Sequence, residues 1–273
     1  MSLIFLVMTA TGGFSNNTHA AAPLRVVVYC DDAYQPYSYA DKHRNPQGIY
    51  TEIMKRAFKE MKGYQVSIKP LPWPRAMKAL EQREVFAVYP PYYRPLERPF
   101  IKDYSTPILK ETVVVYALKD SANKNKRNWP GDWFGHTVGI FTGTMDIAGR
   151  EFGEAVKNKK IKIQESNNNE QNLRNLITKK TDAYVNDRNA ILYTLKTLKQ
   201  HGEWPKNAPE LEEVAVVSEE DGYLAFSMDD KKFPYKKDFI KEFNAAISKM
   251  KQNHEIEKIT KDYLSKIDTA PDK

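Results

Sequence analysis

The stretch that decides the fold is VFAVYPPYYRPLERPFIKDYS, residues 85–105. Its first five residues are a short apolar run that predicts a strand. Pro90 and Pro91 end this strand, because proline donates no ladder hydrogen bond and fixes its own φ. In open α/β sheets, ligands bind in the crevice outside the carboxyl ends of the strands. The loop after the prolines is therefore a candidate binding loop.

Three tyrosines and two arginines give this loop its chemistry. A planar guanidinium beside flat apolar rings is suited to gripping a carboxylate through two parallel hydrogen bonds. The alternative is that the tyrosines pack in the core and the arginines are solvated, as loop arginines mostly are. The residues concerned are Tyr89, Tyr92, Tyr93, Arg94 and Arg98.

Residues 1–22 are predicted to be an export signal peptide. The apolar run LIFLVMTATGGF is too short to span a bilayer, and it leads to small residues at Ala20, Ala21 and Ala22 that suit a signal peptidase. No Lys or Arg precedes the run, which departs from the usual pattern, and a buried N-terminal helix is the alternative. The single Cys30 lies beyond the run and cannot form an internal disulfide, so we interpret it as a packed thiol.

The composition indicates a globular protein with a sizeable core. Of 273 residues, 41% are hydrophobic and 28% are charged, and 42 Lys and Arg against 35 Asp and Glu give a net charge of +7. The lysines fall in scattered pairs and form no stripe or named motif, so we predict no nucleic-acid partner. The roughly 250 residues after the signal peptide are enough for two lobes of ordinary size.

Strand and helix patterns alternate along the chain in two successive series, which predicts an α/β fold of two lobes. Each lobe is expected to be a mixed β-sheet flanked by helices. The β-branched run TVVVYALK, residues 112–119, is typical of a strand that is buried on both faces or crosses between lobes. We predict a first lobe at 23–115, a second lobe at 116–217, and a return to the first lobe with C-terminal helices at 218–273. The polar segment 120–133 is predicted to be a surface loop.

Five places between residues 24 and 264 resemble the family 3 extracellular solute-binding proteins, the amino-acid-binding components of ABC importers. The stretches are AYQPYSY (33–39), GIYTEIMKRAF (48–58), PWPRAMKALEQ (72–82), LERPFIKDYSTPI (96–108), and TGTMDIA (142–148) with AYVNDRNAILY (183–193). The resemblance implies a type II periplasmic-binding-protein fold with a two-strand hinge. It also implies a monomeric periplasmic protein that closes on an amino acid or related compound and delivers it to the membrane component of an ABC transporter.

The resemblance also assigns roles to individual residues. The family's carboxylate-binding arginine falls on Arg98, five residues before Asp103, and Arg94 is the nearby competitor. The acid that receives a ligand amino group falls on Asp187, which could instead cap the following helix. Aromatic walls fall on Tyr34 and Trp73, for which core packing is the alternative. Further ligand-lining or loop positions fall on Asp31, Tyr93, Thr142 and Thr144.

Three departures from the family pattern bear on the ligand. Phe141 stands where the glutamine-binding members have a lysine, and Met145 stands where a glycine is usual. The small Gly-x-Thr turn of the first lobe is replaced by Tyr-Pro-Pro-Tyr. We therefore expect Phe141 to line a less polar site, and an apolar, aromatic or cationic ligand is our hypothesis.

No catalytic, metal or cofactor motif is apparent in the sequence. The five histidines are widely separated, and no HExxH, GxSxG or phosphate-binding lysine loop occurs. We therefore predict a binding protein with no catalytic residues, no metal and no cofactor. Two alternatives stay open. The protein could report its ligand to a membrane receptor or sensor kinase. It could also resemble cyclohexadienyl dehydratases, with Glu165 or Asp187 as the acid.

Overall fold

The protein is described by a computed structural model that covers residues 22–119 and 125–269. The predicted signal peptide lies outside this range except for its last residue. Within the described range, no helix is both long and apolar enough to cross a membrane. The strands are β1 Leu24–Asp31, β2 Ala33–Tyr34, β3 Ser38–Ala40, β4 Pro46–Gln47, β5 Tyr64–Leu71, β6 Ala87–Tyr89, β7 Asp103–Tyr104, β8 Leu109–Leu118, β9 Thr137–Phe141, β10 Lys162–Ser166, β11 Ala183–Asp187, β12 Leu211–Gly222 and β13 Ala225–Phe226. The α-helices are α1 Ile49–Glu60, α2 Trp73–Glu81, α3 Arg150–Lys157, α4 Asn169–Ile177, α5 Arg188–Gln200, α6 Lys236–Gln252 and α7 Glu255–Thr269.

The first lobe is built on a five-stranded sheet in the order β5-β1-β6-β13-β7. Strand β1 runs parallel to both β5 and β6, whereas β13 is antiparallel to β6 and β7. Helix α1 buries one stripe that contains Ile53, Ala57 and Phe58 at helical spacing. This stripe packs on α6, where Phe58 lies 6.1 Å from Phe239 and 5.7 Å from Phe243 between ring centroids. The core of the first lobe is thus rich in aromatic rings, which lie among Val, Ile, Ala and Met side chains.

The second lobe is built on a five-stranded sheet in the order β10-β9-β11-β8-β12. Strand β8 carries the β-branched run and is buried on both faces, as the sequence predicts. Val113 and Val115 belong to the apolar cluster on one face, and Val114 and Tyr116 belong to the cluster on the other. Alternate residues of a strand point to opposite faces, so a continuous apolar run is what a sheet covered on both sides requires.

Strands β8 and β12 connect the two lobes. They pair antiparallel from Leu109 opposite Gly222 to Leu118 opposite Leu211. At the first-lobe end, a Cβ on Gly222 would lie 1.8 Å from the hydroxyl of Tyr50, so only glycine fits there. The architecture confirms the predicted two-lobed α/β fold with its two-strand hinge. The predicted lobe bounds at 115/116 and 217/218 fall inside these two strands and stay predictions.

Two predicted loops contain more structure than the sequence pattern indicates. The segment after β1 holds a small antiparallel sheet in the order β2-β3-β4. The polar segment 120–133, predicted to be a surface loop, ends in a short 3₁₀ helix at Gly131–Trp133, and Trp133 is fully buried. Trp129 stacks on Phe152 of α3 with 5.1 Å between ring centroids. The surface-loop prediction is wrong at this end, because two tryptophans add apolar area to the core of the second lobe.

Candidate ligand-binding site

A narrow cavity lies between the two lobes. In the first lobe it is bounded by the ends of β1 and β6 and by the loop after β6. In the second lobe it is bounded by the ends of β9 and β11. These are carboxyl ends of strands that run in parallel, where open α/β sheets hold ligands. The lining residues are Asp31, Tyr34, Trp73, Pro90, Pro91, Tyr92, Arg98, Phe141, Thr144, Ile147 and Asn186.

The cavity is closed more tightly than a small organic ligand requires. It contains about 450 Å³ of space free of protein atoms, including its opening to solvent. The centres of water-sized molecules can reach only about 40 Å³ of this space, which is room for on the order of three waters. A ligand the size of an amino acid would therefore have to part the lobes in order to enter.

Arg98 is the basic residue in the lining of the cavity. Its side chain is 8% exposed, and its guanidinium carbon lies 5.5 Å from the centre of the Trp73 ring. One guanidinium nitrogen, Nη2, lies 2.6 Å from Oδ2 of Asp146 in the second lobe. The other nitrogen, Nη1, is buried and has no hydrogen-bond partner. Arg98 thus joins the two lobes and has a donor to spare for a ligand.

Arg94 and Tyr93 lie outside the cavity, although the sequence places them as candidates beside Arg98. The two terminal nitrogens of the Arg94 guanidinium, Nη1 and Nη2, both pair with the carboxylate of Glu220, with 2.8 Å between Nη1 and Oε2. Tyr93 is 54% exposed and packs edge-on against Tyr104 at 5.0 Å. Both residues line a groove on the outer surface. Of the two candidate arginines, the structure brings only Arg98 to the cavity.

Aromatic rings form much of the wall. Trp73 is 5% exposed, begins helix α2 and packs in one apolar cluster with Phe141 of the second lobe. Gly143 has a φ of +79°, and a Cβ there would lie 3.3 Å from the ring of Pro74, so the second lobe approaches the first closely at this turn. The hydroxyl of Tyr34 hydrogen-bonds with that of Tyr92, which also lines the cavity. The two predicted walls, Tyr34 and Trp73, both line the cavity from the first lobe.

The remaining polar candidates divide between the lining and its surroundings. Asp31 lines the cavity and accepts a hydrogen bond from the Ala33 amide at 2.9 Å, and burial raises its pKa to about 7. Thr144 also lines the cavity, with its hydroxyl donating to the Phe141 carbonyl at 2.8 Å. Thr142 does not belong to the lining; its amide donates to the carbonyl of Ser166 at 3.0 Å.

Asp187 is buried behind the cavity and is not part of its lining. Its Oδ1 accepts from the Ala190 amide at 2.9 Å, so it caps helix α5, and its Oδ2 accepts from the Thr112 amide at 3.1 Å. Capping was the alternative role that the sequence left open for this residue. Glu165, the other acid considered for a dehydratase reaction, is exposed and is also outside the lining.

Glu111 is a residue beside the site that the sequence analysis missed. It is 2% exposed, and its carboxylate accepts hydrogen bonds from Tyr34, from Tyr50 at 2.5 Å and from Tyr92 at 2.8 Å. Burial, together with the nearby charge of Asp187, raises its pKa to about 8. The sequence does contain a pattern that could have identified this residue, because Glu111 is a single acidic residue directly before the β-branched run 112–119, which is buried on both faces.

Other lining residues also escaped the sequence-based site prediction. Pro90 and Pro91 belong to the loop after β6 and were predicted only to end the strand, whereas Tyr92 was named among the aromatic residues of that loop without a specific role at the site. Asn186 directly precedes Asp187, and its amide nitrogen donates to Oδ1 of Asn169 at 2.7 Å. Ile147 follows the Gly143 turn, and no sequence signal separates it from an ordinary core residue. Among the described residues, no group of three or more His, Cys, Asp or Glu could hold a metal ion.

Comparison with solved structures shows the same fold in proteins of low sequence identity. The chain is 22% identical to the ancestral amino acid-binding protein AncCDT-1, a precursor of cyclohexadienyl dehydratase, with a TM-score of 0.65 over 88% of this chain and 94% of that one. It is 18% identical to a histidine kinase sensor domain with similarity to periplasmic binding proteins, with a TM-score of 0.70 over 89% and 96%. For the arginine-, lysine-, histidine-binding protein ArtJ from Geobacillus stearothermophilus, the identity is 19% and the TM-score is 0.66 over 88% and 95%.

Sequence comparison identifies the family. No curated protein sequence matches this chain. The sequence profile of the bacterial extracellular solute-binding proteins, family 3, matches residues 26–266. This range includes every strand of both sheets except the first two residues of β1, and it contains all the residues that line the cavity. The chain therefore belongs to the bacterial extracellular solute-binding proteins, family 3.

Proposed function

We propose that this protein captures an amino acid or a related small molecule by closure of its two lobes and delivers it to the membrane component of an ABC transporter. The observation that carries the proposal is Nη1 of Arg98, a buried guanidinium nitrogen beside the cavity that has no hydrogen-bond partner. A buried charged donor without a partner is costly, and a ligand carboxylate would satisfy it.

Closure would proceed through contacts from both lobes. The first lobe offers Arg98, Tyr34 and Trp73, so a ligand could dock there before the lobes meet. The second lobe then adds Phe141 and the Gly143 turn. A ligand that contacts both lobes has a higher affinity for the closed form than for the open form, and this difference shifts the hinge equilibrium towards closure. The closed form presents a surface that a membrane partner can distinguish from the open one.

The lining favours a ligand with an apolar, aromatic or cationic side chain. Seven of the eleven lining residues are apolar or aromatic, namely Tyr34, Trp73, Pro90, Pro91, Tyr92, Phe141 and Ile147. Aromatic rings stack on other rings and also attract cations over their faces. A strongly polar glutamine-shaped site would need a donor or acceptor where Phe141 stands.

Native mass spectrometry of freshly purified protein tests the proposal, because it detects a small molecule that copurifies. Titration calorimetry with the L-amino acids, with polyamines and with aromatic acids would follow. We expect at least one of these compounds to bind, with an apolar, aromatic or basic amino acid ahead of glutamine and glutamate. Absence of both a copurified molecule and binding across this panel would overturn the proposal, and tight binding of glutamine or glutamate alone would overturn the expected side-chain class.

The membrane partner and the reaction class have their own tests. The fold shared with a histidine kinase sensor domain supports a receptor as the alternative partner, and co-purification with the membrane protein distinguishes it from a transporter.

We propose a monomer in the periplasm with no nucleic-acid partner. A dehydratase-like activity is the weaker alternative, because neither Glu165 nor Asp187 lines the cavity. Turnover of prephenate or arogenate by the purified protein would establish it.

A further inference from the structure

Trp73 stands where a strand end, a helix start and the cavity meet. It begins helix α2, and Leu71, two residues earlier, pairs with Asp31 at the end of β1. Trp73 is 5% exposed and lines the cavity. The guanidinium carbon of Arg98 lies over its ring, 5.5 Å from the ring centre. The ring therefore supports Arg98 as well as forming a wall of the cavity.

The edge of the indole that carries the N–H lies next to the second lobe. A Cβ on Gly143 would lie 3.8 Å from Cδ1 of Trp73, and Cδ1 is bonded to Nε1. Gly143 belongs to the turn after β9, on the side from which the second lobe closes the cavity. A ligand that parts the lobes would therefore separate this turn from the indole N–H.

The indole N–H of Trp73 is buried and has no hydrogen-bond partner. An indole N–H can only donate, and a buried one normally finds an acceptor. The oxygens of the lining bond elsewhere. Oδ1 of Asp31 accepts from the Ala33 amide at 2.9 Å. Oδ1 of Asn186 accepts from the Asp187 amide at 2.8 Å. The part of the chain that the structure describes thus supplies no acceptor to this N–H, which is costly in a buried position.

The unpaired polar atoms of the lining are all of one kind. Among the described residues, the lining contains two buried side-chain atoms without a hydrogen-bond partner, Nη1 of Arg98 and Nε1 of Trp73. Both are donors, and they belong to side chains that contact each other. A group with two acceptor oxygens on one atom matches such a pair. An oxyanion matches it better than a neutral carbonyl, because hydrogen bonds to an ionised acceptor are the stronger ones.

We propose that the indole N–H of Trp73 donates to one oxygen of the ligand's carboxylate while Nη1 of Arg98 donates to the other. The inference rests on the proposed function and adds a specificity-determining residue to it. Trp73 then acts as a hydrogen-bond donor and not only as an aromatic wall. A ligand without an oxyanion leaves both donors unpaired, so the site discriminates against simple amines. Phenylalanine at this position would keep a wall and lose the donor.

Nuclear magnetic resonance of ¹⁵N-labelled protein observes the indole N–H directly. The chain has four tryptophans, and the variant Trp73→Phe identifies the signal of Trp73. Trp133 is the internal control, because its indole N–H is also buried without a partner but lies in the core of the second lobe, outside the lining. The probes are the twenty common L-amino acids, phenylacetate and phenylpyruvate, ranked by calorimetry. Spermidine is the probe that carries no carboxylate.

We expect the tightest carboxylate probe to move the Trp73 indole proton downfield and to slow its exchange with solvent, with no such change at Trp133. Spermidine should not produce the downfield movement. Affinity for the same carboxylate gives the second measurement. Replacement of Trp73 by 3-benzothienylalanine, which has sulfur in place of the N–H in a ring of nearly the same shape, should weaken binding about tenfold or more. Trp133→Phe, the matched control, should stay within about threefold.

The possible results separate the inference from the proposed function. A benzothienylalanine variant that binds the carboxylate within threefold of wild type shows that the ring is only a wall, which overturns the inference and leaves the proposed function intact. An unmoved Trp73 indole signal in the saturated complex does the same. Binding of spermidine without binding of any carboxylate also overturns the inference but leaves the capture of a small molecule standing. If none of these probes binds the wild-type protein, the proposed function fails and the inference fails with it.

Discussion

Arg98 and Glu111 are both buried ionisable residues beside the cavity, and their surroundings differ in kind. Arg98 meets an opposite charge, Asp146, that comes from the other lobe. Glu111 meets tyrosine hydroxyls and the like charge of Asp187, and among the described residues it forms no ion pair. The Arg98 contact joins the two lobes to each other. The Glu111 cluster ties the hinge strand β8 to the first lobe.

This difference predicts that substitution of Arg98 and substitution of Glu111 change different properties of the protein. Loss of charge at Arg98 should affect ligand affinity, because in the proposed function the ligand carboxylate would share that guanidinium with Asp146 of the opposing lobe. Loss of the Glu111 carboxylate should affect folding stability, because buried hydroxyls depend on it as their acceptor. If substitutions of Arg98 and of Glu111 both changed mainly ligand affinity, or both changed mainly folding stability, the two residues would not have the different roles assigned to them here.

The largest effect is expected for Glu111→Ala. Three buried tyrosine hydroxyls would lose their acceptor, and we expect the free energy of unfolding to fall by about 3 kcal/mol or more. Equilibrium urea unfolding measures this change. Glu219→Ala is the matched control, since Glu219 lies on the partner hinge strand β12 with its side chain 61% exposed. The control should stay within about 0.5 kcal/mol of wild type. Equal effects of the two substitutions would contradict a structural role for the Glu111 cluster.

The second effect is expected for Arg98→Ala in ligand binding. Removal of the guanidinium leaves Asp146 and the ligand carboxylate without a buried partner, so we expect affinity to fall by about 2 kcal/mol or more, roughly 30-fold. Arg94→Ala is the control on the same loop, and it should stay within about threefold because its partner Glu220 lies in the outer groove. Calorimetry with any ligand that binds the wild-type protein measures both. Unchanged affinity in Arg98→Ala would remove this arginine from the site.

The sequence was sufficient to predict the fold because its signals are local. The alternation of apolar runs with amphipathic helices identified the βα order. The run 112–119, apolar at consecutive positions, identified a strand with two buried faces. A signal of this kind depends only on residues that are neighbours along the chain. The small sheet β2-β3-β4 was missed because its strands have only two or three residues each.

The site was less predictable because its contacts are long-range. A sequence pattern places Arg94 and Arg98 on one loop but does not show that Glu220, 126 residues away, pairs with Arg94. Asp187 has the position of a ligand-binding acid and also that of a helix cap, and its contacts with the distant amide of Thr112 and with the amide of Ala190 could not be read from that position alone. Asp146 had no distinguishing neighbour in sequence. Its proximity to Arg98 follows from the packing of one lobe on the other.

The third effect is the pH dependence of folding stability that Glu111, Asp31 and Asp187 produce. Burial raises the pKa of Glu111 to about 8, of Asp31 to about 7 and of Asp187 to about 6. Between the ordinary pKa values of these groups and the raised ones, the folded protein binds more protons than the unfolded chain. The free energy of unfolding must therefore fall as pH rises through this window. We expect a steady decline between pH 5 and pH 8, with the largest contribution from Glu111, whose pKa is raised furthest.

Urea unfolding at several pH values measures this slope, and Glu111→Gln isolates the contribution of one residue. Glutamine does not titrate and keeps a side-chain oxygen as an acceptor for the tyrosines, so the variant should show a shallower decline with pH than wild type. A wild-type stability that rises from pH 5 to pH 8, or a variant with the same slope as wild type, would show that Glu111 is ionised throughout.

The smallest effect is expected for Tyr34→Phe, which acts where the two sides meet. The Tyr34 ring lines the cavity, whereas its hydroxyl contacts Tyr92 at 3.1 Å and donates to Glu111. Phenylalanine keeps the wall and removes one of the three donors to Glu111, so we expect a loss of about 1 kcal/mol in the free energy of unfolding. Ligand affinity should stay within about threefold, since the ring remains for stacking. The same titration and unfolding experiments measure both quantities. A large loss of affinity with unchanged stability would mean that the hydroxyl contacts the ligand in the complex. Tyr34 would then belong to the ligand-binding residues and not to the hydrogen-bonded cluster around Glu111.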